Sequence, residues 1–125
     1  MSGRARILIP EYREPRALLE SLLAPVGEIF GERGRVYSEP EFAEALAEAD
    51  AVVVTSREKV TEGALRRASR LKLIAKTGVG VENIDIPAAT RRGVPVVNTP
   101  GANAIAVAEH TLALLLSVAR RVPQS

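Results

Sequence analysis

Leu71-Lys72-Leu73-Ile74-Ala75 runs directly into Lys76-Thr77-Gly78-Val79-Gly80-Val81-Glu82-Asn83-Ile84-Asp85. An apolar run that ends in lysine and opens into two glycines one residue apart reads as a strand followed by a tight loop. Glycine admits φ > 0 and close approach by a ligand, so successive backbone N–H groups can form a concave donor surface for an anion. Asp85 is placed to N-cap a helix over 86–92, with Pro87 in its first turn and Gly93 just past its end. Strand, loop and helix form one βα unit with a binding loop at its corner. From these residues alone, a tight turn with no ligand reads equally well. The loop is not a dinucleotide fingerprint, because Asn83 stands where G-x-G-x-x-G needs its third glycine.

Working outward, Ala51-Val52-Val53-Val54 is β-branched and does not alternate, as expected of a strand covered on both faces at the centre of a sheet. Arg6-Ile7-Leu8-Ile9, stopped by Pro10, reads the same way. Pro15 can open a helix with Leu18, Leu19, Leu22 and Leu23 on one face, ended by Pro25. Between Val26 and Ser38, Gly27, Gly31 and Gly34 punctuate the chain, and Arg35-Val36-Tyr37 is the expected strand. Pro40 begins a helix carrying Phe42, Ala45, Leu46 and Ala49. Thr61 caps a short one with Leu65 and Ala68, and Val94-Pro95-Val96-Val97 supplies the fifth strand. Asn103 is the expected N-cap of a last helix running to about Arg121, with basic residues at its end.

Five strands alternating with helices, without a hairpin signal, imply an α/β fold: a flavodoxin-like, doubly wound parallel sheet of order 2-1-3-4-5, followed by a long apolar helix. In such a sheet ligands bind outside the carboxyl ends of the strands. Those ends supply Pro10-Glu11-Tyr12, Thr55-Ser56-Arg57, the loop after Ala75, and Asn98-Thr99-Pro100. Arg57 and Lys76 thus come to the same edge as the glycine amides, making a small, positively biased anion site.

The chain of 125 residues is long enough for one domain with its own core. Lys+Arg 17 against Asp+Glu 15 leaves +2, and no aromatic residues are interleaved with the arginine pairs, which argues against nucleic-acid binding. Cys 0 excludes disulfides and thiolate chemistry, and no metal site is expected. The start, Met1-Ser2-Gly3-Arg4, leaves no room for a signal peptide, so a cytoplasmic location is expected. The apolar stretches at 51–54 and 112–116 are far short of the roughly 20 residues of a membrane helix. From Ala104 to Ala119 only Glu109, His110, Thr111 and Ser117 are polar, so that helix wants burial all round. One sheet covers only one side of it. A second copy or a further domain is expected on the other.

From Val52 to Arg121 the sequence resembles the D-isomer-specific 2-hydroxyacid dehydrogenases, most closely their D-3-phosphoglycerate dehydrogenase branch. The likeness rests on Thr55-Ser56-Arg57 with Val60-Thr61, on Lys76 to Asp85, on Ala88-Ala89-Thr90-Arg91-Arg92-Gly93, on Val96-Val97-Asn98-Thr99-Pro100, and on Val107-Ala108-Glu109. The resemblance implies a substrate-binding domain over 1–101 and a linker helix and tail over 102–125 that lead toward an NAD-binding domain. It implies a role in serine biosynthesis, the substrate carboxylate on Gly78, Val79 and Gly80, the nicotinamide bordering Val79, and the phosphate end at Arg57 and Lys76. Relatives often carry arginine where Lys76 stands, and lysine lacks the bidentate fork. The family's catalytic arginine, glutamate and histidine fall outside this chain. Glu109 would be the family's linker-helix glutamate, positioning rather than transferring a proton, and His110 would be structural or interfacial. The implied function is the substrate-binding lobe of an NAD-dependent oxidoreductase, inactive alone and not holding NAD tightly. The alternative is a non-enzymatic or engineered flavodoxin-like module that self-associates through its last helix. A signalling receiver would need an acidic cluster after strand 1 and an aspartate ending strand 3, where Glu11 and Thr55 stand.

Overall fold

Strand β3 (Ala51–Val54) lies in the middle of the sheet, and the chain wraps around it. The structure is a computed structural model that describes residues 3–10, 16–32 and 35–122, so the readings at Glu11, Tyr12, Pro15 and Gly34 lie outside the described residues. The other strands are β1 (Ala5–Leu8), β2 (Gly27–Phe30), β4 (Leu73–Lys76) and β5 (Val96–Val97). All pairs are parallel and the order is β2-β1-β3-β4-β5, the expected flavodoxin-like sheet. Helices α1 (Arg16–Leu23), α2 (Glu39–Ala47), α3 (Glu62–Arg67), α4 (Ile86–Arg91) and α5 (Ala104–Ala119) connect or follow the strands.

Alternation along each strand divides the apolar side chains between two faces. Leu8, Val52, Val54 and Ile74 meet Phe42 and Leu46 of α2, Leu65 of α3 and Ala88 and Ala89 of α4 in one continuous core. Ile7, Ile9 and Val53 form a smaller cluster on the other face, against Leu19 and Leu23 of α1. Leu18 and Leu22, expected on the buried stripe, are 55% and 63% exposed. Among the described residues α1 is the helix packed against that cluster, and it reaches the cluster through Leu19 and Leu23.

The second strand corrects the sequence reading. Arg35-Val36-Tyr37 has the β propensity, yet Val36 is exposed and the segment pairs with no strand. Proximity to β1 decides the matter. Gly27 lies opposite Ala5, and a Cβ at Gly27 would stand 2.5 Å from the Ala5 carbonyl oxygen and 2.7 Å from the Ile7 side chain. Only glycine allows that approach, after which Ile29 and Phe30 pack on opposite faces. Arg35 instead pairs with Glu32 at 2.9 Å and Glu41 at 2.6 Å on the surface.

Strand β4 also ends one residue later than expected. Lys76 pairs with Val54 inside the ladder, so its side chain projects on the same face as Ile74 and is buried. Thr61 and Asp85 cap as expected, their side chains accepting from the amides of Ala64 and Ala88. Asn103 occupies the N-cap position of α5 but makes no side-chain cap bond, and the last turn holds no basic residue, since Arg120 follows as C-cap. Among the described residues no helix is long and apolar enough to cross a membrane.

Candidate functional site

Where β3 ends, the chain turns sharply because a carboxylate holds the turn together. Glu58, nearly buried, accepts from the Thr55 amide and the Thr55 hydroxyl, both at 2.7 Å. The same hydroxyl oxygen accepts from the Arg57 amide at 3.2 Å. Ser56 is thereby placed beside the neighbouring strand, where its Oγ receives Lys76 Nζ at 3.1 Å. Lys76 is 3% exposed and has no carboxylate within ion-pair distance among the described residues. A buried ammonium with one neutral partner is an unfavourable arrangement that an arriving anion relieves.

Where β4 ends, the ladder continues for one residue, the Thr77 amide donating to the Val54 carbonyl at 2.9 Å. Gly78 then takes φ 134°, a conformation closed to residues with a side chain. Its amide donates to Thr99 Oγ1 at 2.9 Å, its carbonyl accepts from the Thr99 amide at 3.0 Å, and Asn98 Nδ2 donates to the Val79 carbonyl at 2.9 Å. The glycine loop is thus lashed to the loop after β5. The Gly78 amide, expected among the anion donors, already has its partner. The amides of Val79 and Gly80 have no acceptor among the described residues, and Val79 is half exposed at the rim. Two open amides make a narrower donor surface than three, suited to one carboxylate.

Arg57, Lys76, Val79 and Gly80 therefore share the carboxyl edge of adjacent parallel strands, the convergence expected from the sequence. A hollow of about 520 Å³ opens between Ser56, Lys59 and Glu82. Another, of about 370 Å³, lies on the Thr99 side of the loop. The Glu82 carboxylate rests against Gly80. Glu109 and His110 are exposed on α5. Among the described residues no group of histidine, aspartate and glutamate is arranged to hold a metal. Asp50, at the amino edge, accepts the Arg6 amide at 2.9 Å and pairs with Arg70 at 2.8 Å, which hold its carboxyl below the usual range against the opposing effect of burial. Glu41 is lowered to about 2 by the hydroxyl and amide of Ser38 and by Arg35.

Residues 18–120 match the family described as D-isomer specific 2-hydroxyacid dehydrogenase, catalytic domain. The chain belongs to this family. The D-3-phosphoglycerate dehydrogenase of Synechocystis sp. is 49% identical over 70% of this chain, which spans 16% of that protein. The crystal structure of TT0316 protein from Thermus thermophilus superposes with TM-score 0.86 at 35% identity, over 95% of this chain and 38% of its own. NAD+-bound 3-phosphoglycerate dehydrogenase from Entamoeba histolytica gives TM-score 0.78 at 27% identity, over 92% and 39%. The chain thus spans well under half of each relative.

In this dehydrogenase-family domain, sequence reasoning locates the edge and misses what braces it. Glu58 receives no role in the site from the sequence, and Asn83 stands out there only as the missing glycine. Asn98 and Thr99 come to the edge without assigned partners. A threonine three residues before a glutamate is the available signal for the turn, and it is a weak one.

Proposed function

We propose that this chain is the substrate-binding lobe of an NAD-dependent D-2-hydroxyacid dehydrogenase of the 3-phosphoglycerate type, serving serine biosynthesis in the cytoplasm. The observation that carries the proposal is the pair of open amides at Val79 and Gly80 beside the buried, carboxylate-free Lys76. A small 2-hydroxy or 2-oxo acid would set its carboxylate on those amides and its anionic far end toward Lys76 and Arg57. Sequence and fold relatives named as 3-phosphoglycerate dehydrogenases support the substrate class.

The residues present do not fit a dinucleotide in this loop. Asn83 fills the third-glycine position, and the Asp85 carboxylate already accepts the Ala88 amide at the start of α4, where a pyrophosphate would need the donors. NAD belongs with the remainder of the protein, where it would accept or return a hydride, with Val79 bordering the nicotinamide. Alone, this chain would bind and orient the acid, and the acid/base group for the proton would belong with the remainder of the protein.

Amide-shift mapping with 3-phosphoglycerate, glycolate and NAD added separately tests this reading. Both acids should move Val79 and Gly80, only the phosphorylated one should reach Arg57, and NAD should move none of them. Shifts by NAD at the glycine loop, or none by either acid, would remove the proposal. Turnover of a 2-oxo acid with NADH by the pure chain would refute its inactivity. A second reading, a module that self-associates without ligand, is favoured by one observation: α5 buries no residue. In either reading α5 is covered by a second copy or by the rest of the protein, and light scattering on dilution should separate a concentration-dependent assembly from a monomer.

A further inference from the structure

Beyond Thr77 the two loops that carry the site are joined by main-chain bonds around Val60 and by the side chain of Asn83. Asn83 Nδ2 donates to the Thr55 carbonyl at 2.8 Å and to the Glu58 carbonyl at 2.5 Å, both on the opposite loop. Main-chain bonds flank this junction. The Val60 amide donates to the Asn83 carbonyl at 2.8 Å and the Asp85 amide to the Val60 carbonyl at 2.9 Å, a short parallel bridge beneath the hollow. On the other side the Glu58 carboxylate closes the Thr55–Glu58 turn on itself. A primary amide is the smallest neutral group with two donors that can serve two carbonyls at once. Aspartate has no donor, serine has one, and lysine would bring a charge.

From this geometry we infer that Asn83 is a positioning residue: it sets the span between Arg57 on one loop and the open amides of Val79 and Gly80 on the other, and so the length of two-ended anion the site accepts. The inference rests on the reading of this edge as the binding site. It also accounts for the departure from the dinucleotide pattern. Where a nucleotide-binding loop uses glycine to let a helix pack closely, this loop uses a side chain to brace itself against its neighbour.

The test compares the native chain with Asn83→Ala and Asn83→Ser by amide-shift titration. Glycolate reaches only the glycine loop, while 3-phosphoglycerate spans both loops. In Asn83→Ala, glycolate affinity should stay within about twofold while 3-phosphoglycerate affinity falls about tenfold, because only a two-ended ligand depends on the span. Asn83→Ser, which retains one donor, should fall between and serves if the alanine variant does not fold. Equal loss for both ligands, which a general structural role would produce, overturns the inference, as does no loss for either. If the native chain takes neither acid, the reading of the site fails by itself. Hydrogen exchange then decides the brace: the Arg57 and Val60 amides should open about tenfold faster in Asn83→Ala relative to the Ile74 amide, and unchanged rates overturn it.

Discussion

Helix α2 carries three glutamates in nine residues and buries Phe42 and Leu46, whereas α5 has four polar residues in sixteen and buries none. Apolar content therefore states how much burial a helix needs, while the position of a covering layer decides how much it receives. Helix α2 lies between β2 and β3 in the chain and is returned onto the sheet by both connections. Helix α5 follows β5, and among the described residues no strand comes after it to return it onto the sheet. Ile105 and Val118 on it are 77% and 75% exposed. An apolar surface of that extent is what the proposed cover, a second copy or the rest of the protein, would bury.

The sharpest way to break this contrast is to make the same truncation in both helices. Leu46→Ala should cost about 2–5 kcal/mol in urea unfolding, because it empties a fully buried site. Leu115→Ala, measured in dilute solution, should change stability by less than about 0.5 kcal/mol. A comparable loss at Leu115 would mean that α5 is covered within one chain. Leu115→Glu should likewise leave the dilute chain intact while suppressing any assembly seen by scattering at high concentration.

Polar anchoring should follow the same division. Asp50→Ala leaves the Arg6 amide without its acceptor at the amino edge of the packed sheet, and should cost about 1–3 kcal/mol. Because the folded carboxyl is more acidic than the unfolded one, its contribution is complete above the ordinary aspartate range near about pH 4. It fades as pH falls through the folded value. Asp50→Asn should flatten that part of the acid unfolding curve, and an unchanged slope would show that another group carries it. The smallest contrast is at the caps. Thr61→Ala and Asp85→Ala should each cost about 1 kcal/mol, since both side chains accept a helix amide. Asn103→Ala on α5 should fall within a few tenths of a kcal/mol, because that side chain makes no cap bond.

What is legible in the residues divides along similar lines. The β3 and β4 runs, the caps at Thr61 and Asp85 and the parallel order follow from local pattern and from the rule that crossovers keep one hand. The second strand is misread from sequence because Val36 and Tyr37 have the better propensity, while Gly27 has the better fit beside Ala5 and Ile7. Lys76 comes to the edge as its position in the chain implies, but its burial depends on one further residue of pairing with Val54. The engagement of the Gly78 amide requires Thr99, twenty-one positions away, to arrive at the same loop.

The sequence by itself determined that this chain makes a doubly wound sheet, that a glycine loop opens at its carboxyl edge, and that two cations accompany it. These follow from periodicity, glycine spacing and strand order, all of which act over short stretches of chain. Only the tertiary structure decided which amides stay open, which residue braces the two loops, and which apolar helix is left bare. Those outcomes depend on contacts between segments far apart in the chain, where a shift of one residue in register changes the partner of every group.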